Sequence, residues 1–401
     1  MASPTTVVSK FDIVHLALTR FPADTRVRRE ALASASVGRS VAVVVSRHRD
    51  EPGEELIDGL SVIRAPVAKR RGGPLNYIWQ YLAFTLHCRS LLRRDPRFQK
   101  VRVVHVHTLP DFLIAAAVHR KGLGTSLILD LHEIFPEFAK SKYPGIFGTF
   151  ISVGAAYLER WSRRAADVTI TVNAPIARLL GARPAKAAER IVVIHNTADP
   201  TDFGPQRAPN TRGGPNRCRL VYHGTLTPLY GLDIAVKGVA LAAHRGLGTH
   251  LTIIGDGPSK PSLRALVKEL GIDSHVTFVD PMPQGQLPSF LCDFDGGLVP
   301  TRLDTMTQYS LSNKLLEYVH LGMPVLAARL PSYEEYFSDS SLWYWDAGSP
   351  ESMVGTVDRF TRSGQAERAS RTADAQRKME RFAWESERQL LLGIYRELMA
   401  S

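Results

Sequence analysis

Short apolar runs alternate with longer amphipathic segments along nearly the whole of this 401-residue chain. Two parallel strands need a crossover connection of a dozen or more residues, usually a helix, so this alternation is typical of parallel α/β sheets. In the first half the predicted strands are 12–18, 40–45, 62–65, 101–106, 126–131, 168–172 and 191–194. In the second half they are 219–223, 251–254, 276–278, 296–299 and 325–328.

The length of the chain predicts more than one domain, because single hydrophobic cores stop growing well below this size. Residues 199–217 are rich in Pro, Gly, Asn and Arg and have no hydrophobic period, which predicts a linker. We therefore expect two doubly wound, Rossmann-like domains over 1–198 and 218–380. Residues 381–401 are predicted as a C-terminal helix that packs back toward the N-terminal domain. A ligand is expected in a cleft between the domains, at the carboxyl ends of the strands.

Composition narrows the class of protein. The chain is 44% hydrophobic and 22% charged, which is typical of a globular protein. No apolar run reaches the roughly 18 residues of a membrane span, and no secretory signal is recognisable. Three distant cysteines, Cys88, Cys218 and Cys292, form neither a metal-type pair nor a disulfide framework, so we expect a cytoplasmic location.

The formal net charge of +11 favours anionic partners such as nucleotide phosphates or acidic lipid headgroups. A basic surface inherited from an arginine-rich genome is the alternative explanation, and we favour it. No nucleic-acid-binding motif accompanies the charge, so no nucleic-acid partner is expected.

The stretch 310–325, Ser-Leu-Ser-Asn-Lys-Leu-Leu-Glu-Tyr-Val-His-Leu-Gly-Met-Pro-Val, predicts a loop, a short helix and a strand. Free N–H groups and the positive dipole end at a helix start suit a phosphate. Glu317, about one turn further along, is placed to hold sugar hydroxyls through charge-assisted hydrogen bonds. Gly322 then ends the helix. Together these features predict a site for a nucleotide attached to a sugar.

Two glycine turns follow predicted strands in the same half of the chain. Gly224 comes directly after 219–223, and Gly255 and Gly257 follow 251–254. Glycine at such positions lets the backbone approach a ligand closely, although a simple turn glycine is the alternative. No Gly-Lys-Ser follows, which excludes a P-loop. Asp293 and Asp295 resemble a metal pair, but Asp295 is better explained as the start of a buried strand, and no metal site is predicted.

The order of these pieces resembles the C-terminal domain of glycosyltransferase family 4, whose members are retaining enzymes of the GT-B fold. In the first half, Asp24-Thr25-Arg26-Val27-Arg28-Arg29-Glu30-Ala31 and Asp130-Leu131-His132-Glu133-Ile134-Phe135-Pro136-Glu137 also look like that family. The matching pieces of the second half are Gly224-Thr225, Tyr230-Gly231-Leu232-Asp233, Ile254-Gly255-Asp256-Gly257-Pro258, Pro300-Thr301, Asn313-Lys314-Leu315-Leu316-Glu317-Tyr318 and Gly322-Met323-Pro324-Val325.

The resemblance implies a donor site for a nucleoside diphosphate sugar, such as a UDP- or GDP-sugar, with Glu317 on the ribose hydroxyls. The family's second Glu, eight positions upstream, is replaced by Tyr309, which leaves the identity of the sugar open. Backbone groups of 309–312 are expected to reach the sugar instead. The predicted donor-binding residues are Gly224, Thr225, Gly255, Gly257, Arg302, Ser310, Leu311, Ser312, Asn313 and Glu317.

The basic pair that usually meets the diphosphate is replaced by Thr225 and Tyr230. Arg302 and Lys314 are the candidates that would supply this charge, helped by the N–H groups at the helix start. A solvated surface position for either side chain is the alternative.

Residues of the first half are expected to act on the acceptor. The resemblance implies that His132 lies near the scissile bond, so the predicted catalytic residues are His132, Lys314 and Glu317; a capping or packing histidine is the alternative. His105 and His107 are expected to face opposite sides of their strand, with only His107 at the cleft. The predicted acceptor-binding residues are Asp24, Arg26, His107, Glu133 and Glu137.

The resulting prediction is a metal-independent enzyme, without a tightly bound cofactor, that transfers a hexose-type sugar to an acceptor hydroxyl with retention. The acceptor is a glycan, a lipid-linked precursor or a small aglycone. The alternatives are a nucleotide-sugar epimerase and a non-catalytic nucleotide-sugar-binding subunit. Residues 77–94 and 147–164 combine basic and apolar side chains and could contact an anionic membrane from the cytoplasmic side, although helices packed on the sheet are the favoured explanation.

Overall fold

The structure is a computed structural model that describes residues 10–37, 40–48, 50–67, 74–143, 145–198, 203–204, 207–208 and 218–400. Its contacts divide the chain into two units, Met1–Asn196 with Glu385–Ser401, and Thr197–Trp384. Most of the predicted linker 199–217 lies outside the described residues. Each unit contains a mostly parallel sheet covered by helices, so the predicted α/β, Rossmann-like class is confirmed.

The N-terminal unit is built on an eight-stranded sheet in the order β3-β4-β2-β1-β5-β6-β7-β8. All neighbours are parallel except β3 and β4, which form a hairpin that the sequence patterns did not predict. The strands are β1 Ile13–Ala17, β2 Val41–Ser46, β3 Glu54–Ile57, β4 Leu60–Ala65, β5 Val103–His107, β6 Ser126–Leu131, β7 Val168–Thr171 and β8 Ile191–Val193.

Helices connect these strands. The connection between β5 and β6 is a pair of 3₁₀ segments, Asp111–Ala116 and Val118–Leu123. The α-helices are α1 Thr25–Ala35, α2 Pro74–Arg94, α3 Phe135–Lys142, α4 Ile146–Ala165 and α5 Ala174–Gly181. No helix among the described residues combines the length and the apolar character needed to cross a bilayer.

The C-terminal unit has a fully parallel six-stranded sheet in the order β11-β10-β9-β12-β13-β14. Counted within the unit this is 3-2-1-4-5-6, the order of a dinucleotide-binding Rossmann sheet, whose ligand lies where the order reverses. The strands are β9 Cys218–His223, β10 Thr249–Ile254, β11 Val276–Val279, β12 Gly296–Val299, β13 Val325–Ala328 and β14 Trp343–Trp345. The helices are α6 Leu232–His244, α7 Lys260–Glu269, α8 Leu287–Leu291, α9 Asn313–His320, α10 Pro331–Glu334, α11 Pro350–Arg362 and α12 Gln365–Met379.

Helix α9 ends as its sequence predicts. Gly322 adopts the left-handed conformation at φ +68°, which favours glycine because it has no Cβ. Its N–H bonds to the carbonyl of Val319, and the N–H of Met323 bonds to that of Tyr318, which is the Schellman pattern. Tyr318 is fully buried against Gly297, where an added Cβ would lie 2.3 Å from the ring. This packing sets the height of α9 above the sheet.

The last helix, α13 Trp384–Ala400, belongs mostly to the N-terminal unit. The hydroxyl of Tyr395 lies 2.7 Å from Nδ1 of His105, and Glu387 lies 2.7 Å from Nδ1 of His195. A 3₁₀ turn at Glu380–Phe382 separates α13 from α12, so the helix predicted over 381–401 begins at Trp384.

Candidate functional site: a pocket in the C-terminal unit and a histidine–carboxylate network

The carboxyl ends of β9, β10 and β11 surround a pocket of about 290 Å³ in the C-terminal unit. One wall is formed by backbone that follows β9 and β10, and the other is apolar. This position agrees with the rule that open α/β sheets bind ligands beyond the carboxyl ends of their strands. The lining residues are His223, Gly224, Thr225, Ile254, Gly255, Asp256, Pro281, Met282 and Leu287.

Two of the predicted glycines make close contacts, Gly255 with backbone and Gly224 with the Lys314 side chain. Gly255 has φ +141°, and a Cβ there would lie 2.0 Å from the carbonyl oxygen of Gly224. Gly224 has φ +120°, and a Cβ there would lie 2.5 Å from Cε of Lys314. The two turns therefore pack on each other, and the absence of a side chain at Gly224 is what lets the lysine reach this place.

Lys314 projects from the first turn of α9 over the β9 turn. Its Nζ lies 4.0 Å from the centre of the Tyr230 ring and 5.4 Å from that of Tyr222, which are cation–π distances. Burial lowers the pKa of Lys314 to about 8, although the nearby carboxylate of Glu317 opposes that shift. The ammonium is thus held by aromatic faces next to the pocket, where an anionic ligand would restore its full charge.

Glu317 pairs with His223, which the sequence analysis did not select. Oε2 of Glu317 lies 3.1 Å from Nε2 of His223, and the imidazole packs edge-on against the Tyr318 ring. The available signal was position: His223 is the last residue of β9 and immediately precedes Gly224. The pair therefore joins the Glu317 carboxylate to a residue that lines the pocket.

The start of α9 presents backbone N–H groups near the same turn, with Ser312 as the N-cap residue. The Ser312 side chain hydrogen-bonds the Tyr333 phenol, and the carbonyl of Ser310 accepts a bond of 2.7 Å from the Ser332 hydroxyl. Leu311 is half-buried and Asn313 is exposed. Residues 310–312 are therefore held by α10, which leaves the helix start rigid.

Other predicted donor residues have different surroundings. Thr225 is exposed beside the pocket, and Gly257 packs against Leu226. Arg302 is ion-paired with Asp233 and donates a bond of 3.1 Å to the carbonyl of Pro228. A phosphate role for Arg302 would require that this pair be released, whereas Lys314 needs no such change.

The N-terminal unit contains a buried network centred on Asp130, at the end of β6. Its carboxylate receives two bonds from Arg26, of 2.8 and 2.9 Å. It also lies 2.9 Å from Nε2 of His132 and 3.2 Å from Nδ1 of His107. Burial opposes the ionised form, but Arg26 and His132 outweigh it and hold the pKa of Asp130 well below its usual range.

His132 is the member of this network whose side chain reaches solvent, with 20% of it exposed. Burial works against its charge, but the Asp130 carboxylate prevails and raises the pKa of His132. A histidine held in this way can donate a hydrogen bond to an anion or exchange a proton. His132 directly follows β6 at its carboxyl end.

The expectation for His105 and His107 is wrong. Residues two apart on a strand share a face, and their rings stack with centres 4.3 Å apart. His107 is also buried, with its Nε2 3.0 Å from Nδ1 of His15. The prediction that His107 binds the acceptor is therefore wrong. His107 lies in the interior, where it contacts Asp130.

Arg26 needs the same correction. It is buried, its guanidinium is occupied by Asp130 and by the carbonyl of Ile194, and it cannot contact an acceptor without losing both. Asp24 is half-buried and caps α1 by accepting a bond from the N–H of Val27. In this structure, Asp24 and Arg26 therefore stabilise the fold of the N-terminal unit.

Two acidic candidates follow His132 in sequence. Glu133 is half-buried, and that burial raises its pKa. Glu137 is buried and ion-paired with Arg183 at 2.6 Å. Glu133 therefore remains the better candidate for contact with an acceptor.

Ligand-type side chains also gather inside the N-terminal unit, where the sequence predicted no metal. Glu30, His105, His107 and Asp130 have ligand atoms within 4.8 Å of one another. Arg26 lies 3.2 Å from Glu30 and 2.8 Å from Asp130, so the guanidinium of this chain already pairs with both acids. In the C-terminal unit, Asp295 instead accepts a bond of 2.7 Å from the N–H of Arg219 and starts β12.

Models of glycosyltransferase families match both halves of the chain. Residues 23–202 match the model of glycosyltransferase family 4, and residues 217–362 match that of glycosyl transferases group 1. A D-inositol 3-phosphate glycosyltransferase of Acidothermus cellulolyticus is 30% identical, over 92% of this chain and 83% of the relative. A 2-deoxystreptamine glucosyltransferase of Streptomyces kanamyceticus is 25% identical, over 66% of this chain and 69% of the relative.

Solved structures show the same architecture. Sucrose-phosphate synthase of Thermosynechococcus elongatus superposes with a TM-score of 0.77 at 15% identity, covering 97% of this chain and 99% of that one. HepE of Anabaena, in complex with UDP, superposes with a TM-score of 0.66 at 14% identity, covering 96% and 100%. Two parallel Rossmann-like sheets with these likenesses define a GT-B glycosyltransferase. The chain belongs to glycosyltransferase family 4.

Proposed function

We propose that this enzyme transfers a hexose-type sugar from a nucleoside diphosphate sugar to an acceptor hydroxyl, with retention of configuration at the anomeric carbon. The observation that carries the proposal is the pocket of the C-terminal unit. There, the glycine turns after β9 and β10 and His223 form part of the lining. Lys314, in the first turn of α9, lies against Gly224, and Glu317 pairs with His223. Donors of backbone hydrogen bonds, one cation and one acid are what a nucleotide sugar needs.

Each part of the donor has a proposed partner. The apolar wall of Pro281, Met282 and Leu287 suits the flat nucleobase. Glu317, oriented by His223, would accept hydrogen bonds from the ribose hydroxyls. The transferred sugar would lie near 309–312, where Tyr309 stands in place of an acid.

The leaving diphosphate gains negative charge as the glycosidic bond breaks. Lys314 and the N–H groups at the start of α9 are fixed before the reaction and would stabilise that charge. We propose that these groups meet the diphosphate without a divalent ion. No carboxylate of the described pocket is assigned as a nucleophile, so departure and attack on the same face of the sugar is the proposed route to retention.

His132 and Glu133 are the proposed acceptor-side groups. His132, charged through Asp130, would donate a hydrogen bond to an anion, and Glu133, with its raised pKa, is suited to exchange a proton with a hydroxyl. The acceptor is proposed to be a glycan, a lipid-linked precursor or a small aglycone. Two relatives are named for inositol phosphate and 2-deoxystreptamine acceptors, which supports ring-shaped polyols as the first compounds to test. A cytoplasmic location is part of the proposal.

The test is a thermal-shift screen with UDP-, GDP- and dTDP-sugars, followed by transfer assays with the stabilising donor. We expect one nucleotide series to stabilise the protein, and Glu317→Ala to lose that shift. Product analysis by NMR then reads the anomeric configuration. Conversion of the donor without any acceptor would indicate an epimerase, and an inverted product would refute retention.

A further inference from the structure

Helix α4 has its apolar side turned outward. Its buried residues are small or polar, among them Ser152, Ala155 and Ser162. Its exposed residues recur every three or four positions and are large and apolar. They include Ile146, 92% exposed, Phe150, 81%, Val153, 66%, Tyr157, 71%, and Trp161, 38%. A helix that only packs on a sheet would show the opposite pattern, because its apolar stripe would face the core.

Helix α2 repeats this arrangement next to α4. Ile78, Leu82 and Leu86 are exposed at a spacing of four residues, with Trp79 beside them. Both helices pack against the 3₁₀ turn Asp111–Ala116, so they are neighbours on one side of the sheet. Two adjacent stripes of exposed aliphatic and aromatic residues exceed the scattered apolar exposure of an ordinary surface.

The charges around these stripes have a single sign. In the described parts of α2, α3 and α4 the only acids are Glu137 and Glu159, and both are buried in ion pairs with Arg183 and Arg163. The exposed charged residues of the three helices are all basic: Arg93, Arg94, Lys140, Lys142, Arg160 and Arg164.

We propose that the exposed faces of α2 and α4 form a docking surface for an anionic lipid bilayer. The apolar stripes would enter the boundary between headgroups and acyl chains, while the rim of lysines and arginines meets the headgroup phosphates. Tyr157 and Trp161 suit such a boundary because each carries a polar group on an apolar ring. The uniform positive rim is what selects a negatively charged bilayer over a second copy of this chain, whose own rim would repel it.

This surface lies entirely within the N-terminal unit, so the proposal is independent of the donor chemistry. It would bring the enzyme to membrane-embedded acceptors and add a lipid-linked acceptor to the test panel. The measurement does not depend on knowing that acceptor.

The test is flotation of the full-length protein with phosphatidylcholine vesicles that do or do not contain phosphatidylglycerol. We expect binding to the anionic vesicles, and its loss as salt screens the charges. Phe150→Asp should weaken that binding about tenfold or more, because it places a charge at the centre of the stripe. Removing the charges of Arg160 and Arg164, each to Gln, should weaken it about fivefold per residue.

The matched control is Leu56→Asp, which places the same charge on a 61% exposed apolar residue of the edge strand β3. It should float like the wild type, and all variants should keep the wild-type melting temperature and nucleotide binding. Equal flotation with neutral and anionic vesicles would overturn the role of the basic rim. No flotation of the wild type, or a dimer in solution that Phe150→Asp dissociates, would overturn the proposal.

Discussion

The position of Lys314 predicts a donor affinity that falls with rising pH. Its pKa drops from an ordinary 10.5 to about 8 because the ammonium is buried beside Tyr230 and Tyr222. A lysine with a lowered pKa is charged below that value and neutral above it, and a diphosphate binds the charged form. Affinity should therefore be full below pH 8 and decline above it.

The size of the effect follows from this shift. Each pKa unit is worth about 1.4 kcal/mol, so the shift from 10.5 to about 8 means that the charged form of Lys314 is about 3 kcal/mol less stable in the empty pocket than in water. While the ligand keeps the amine charged, affinity should drop about tenfold for each pH unit above the free pKa, and so about tenfold between roughly pH 7 and pH 9. The carboxylate of Glu317 acts on Lys314 and is paired with His223, so a variant of Lys314 is needed to assign the pH dependence to this lysine.

The assay is isothermal titration calorimetry with the nucleoside diphosphate of the stabilising series, across this pH range. The second ionisation of its phosphate lies near pH 6, so the ligand charge stays nearly constant above about pH 7. Lys314→Met should bind more weakly at pH 7 and show no decline toward pH 9. The control is Lys237→Met, an exposed lysine of α6 in the same unit. A wild-type affinity that stays flat, or a decline that survives in Lys314→Met, would refute the reasoning.

Three further predictions concern the pocket of the C-terminal unit and the Asp130 network. Gly224→Ala should lower donor affinity at least about tenfold, because the new methyl group would lie only 2.5 Å from Cε of Lys314 and would push that side chain away. Wild-type affinity of this variant in calorimetry would contradict the close approach. Arg26→Met should lower the free energy of unfolding by about 3–5 kcal/mol, since it leaves Asp130 buried without its cation; a loss below about 1 kcal/mol in urea denaturation would show that the pair is dispensable. His132→Gln should reduce turnover about 10²-fold or more with donor affinity unchanged, and a loss of donor affinity alone would move His132 out of the acceptor side.

The local features of the donor site could be read from the sequence because they depend on neighbouring residues. Gly322 was recognisable as the end of α9, since a left-handed residue is what closes a helix. Gly224 and Gly255 were recognisable from their places after apolar strands. The alternation of strands and helices likewise predicted the parallel α/β class, because each crossover is a local unit of chain.

The partners of these residues came only from the tertiary structure. His223 belongs to a different element from Glu317, far from it along the chain, and Tyr230 becomes the aromatic support of Lys314 only after α9 packs on the sheet. In the N-terminal unit, Arg26 and His107 looked like surface candidates in their motifs. The tertiary structure places both against Asp130 instead, so their side chains form interior hydrogen bonds and do not reach the surface.

The amphipathic pattern of residues 147–164 shows the same division. The sequence determined that this segment combines large apolar and basic residues at helical spacing, because helical periodicity depends on spacing alone. It could not determine which side faces the sheet. Only the tertiary structure showed that the small residues are buried where α4 packs against the rest of the unit, including the turn at Asp111–Ala116, and that Phe150 and Tyr157 are exposed. The sequence thus determined which chemical groups this glycosyltransferase carries, and the packing of distant segments decided which of them can reach a ligand.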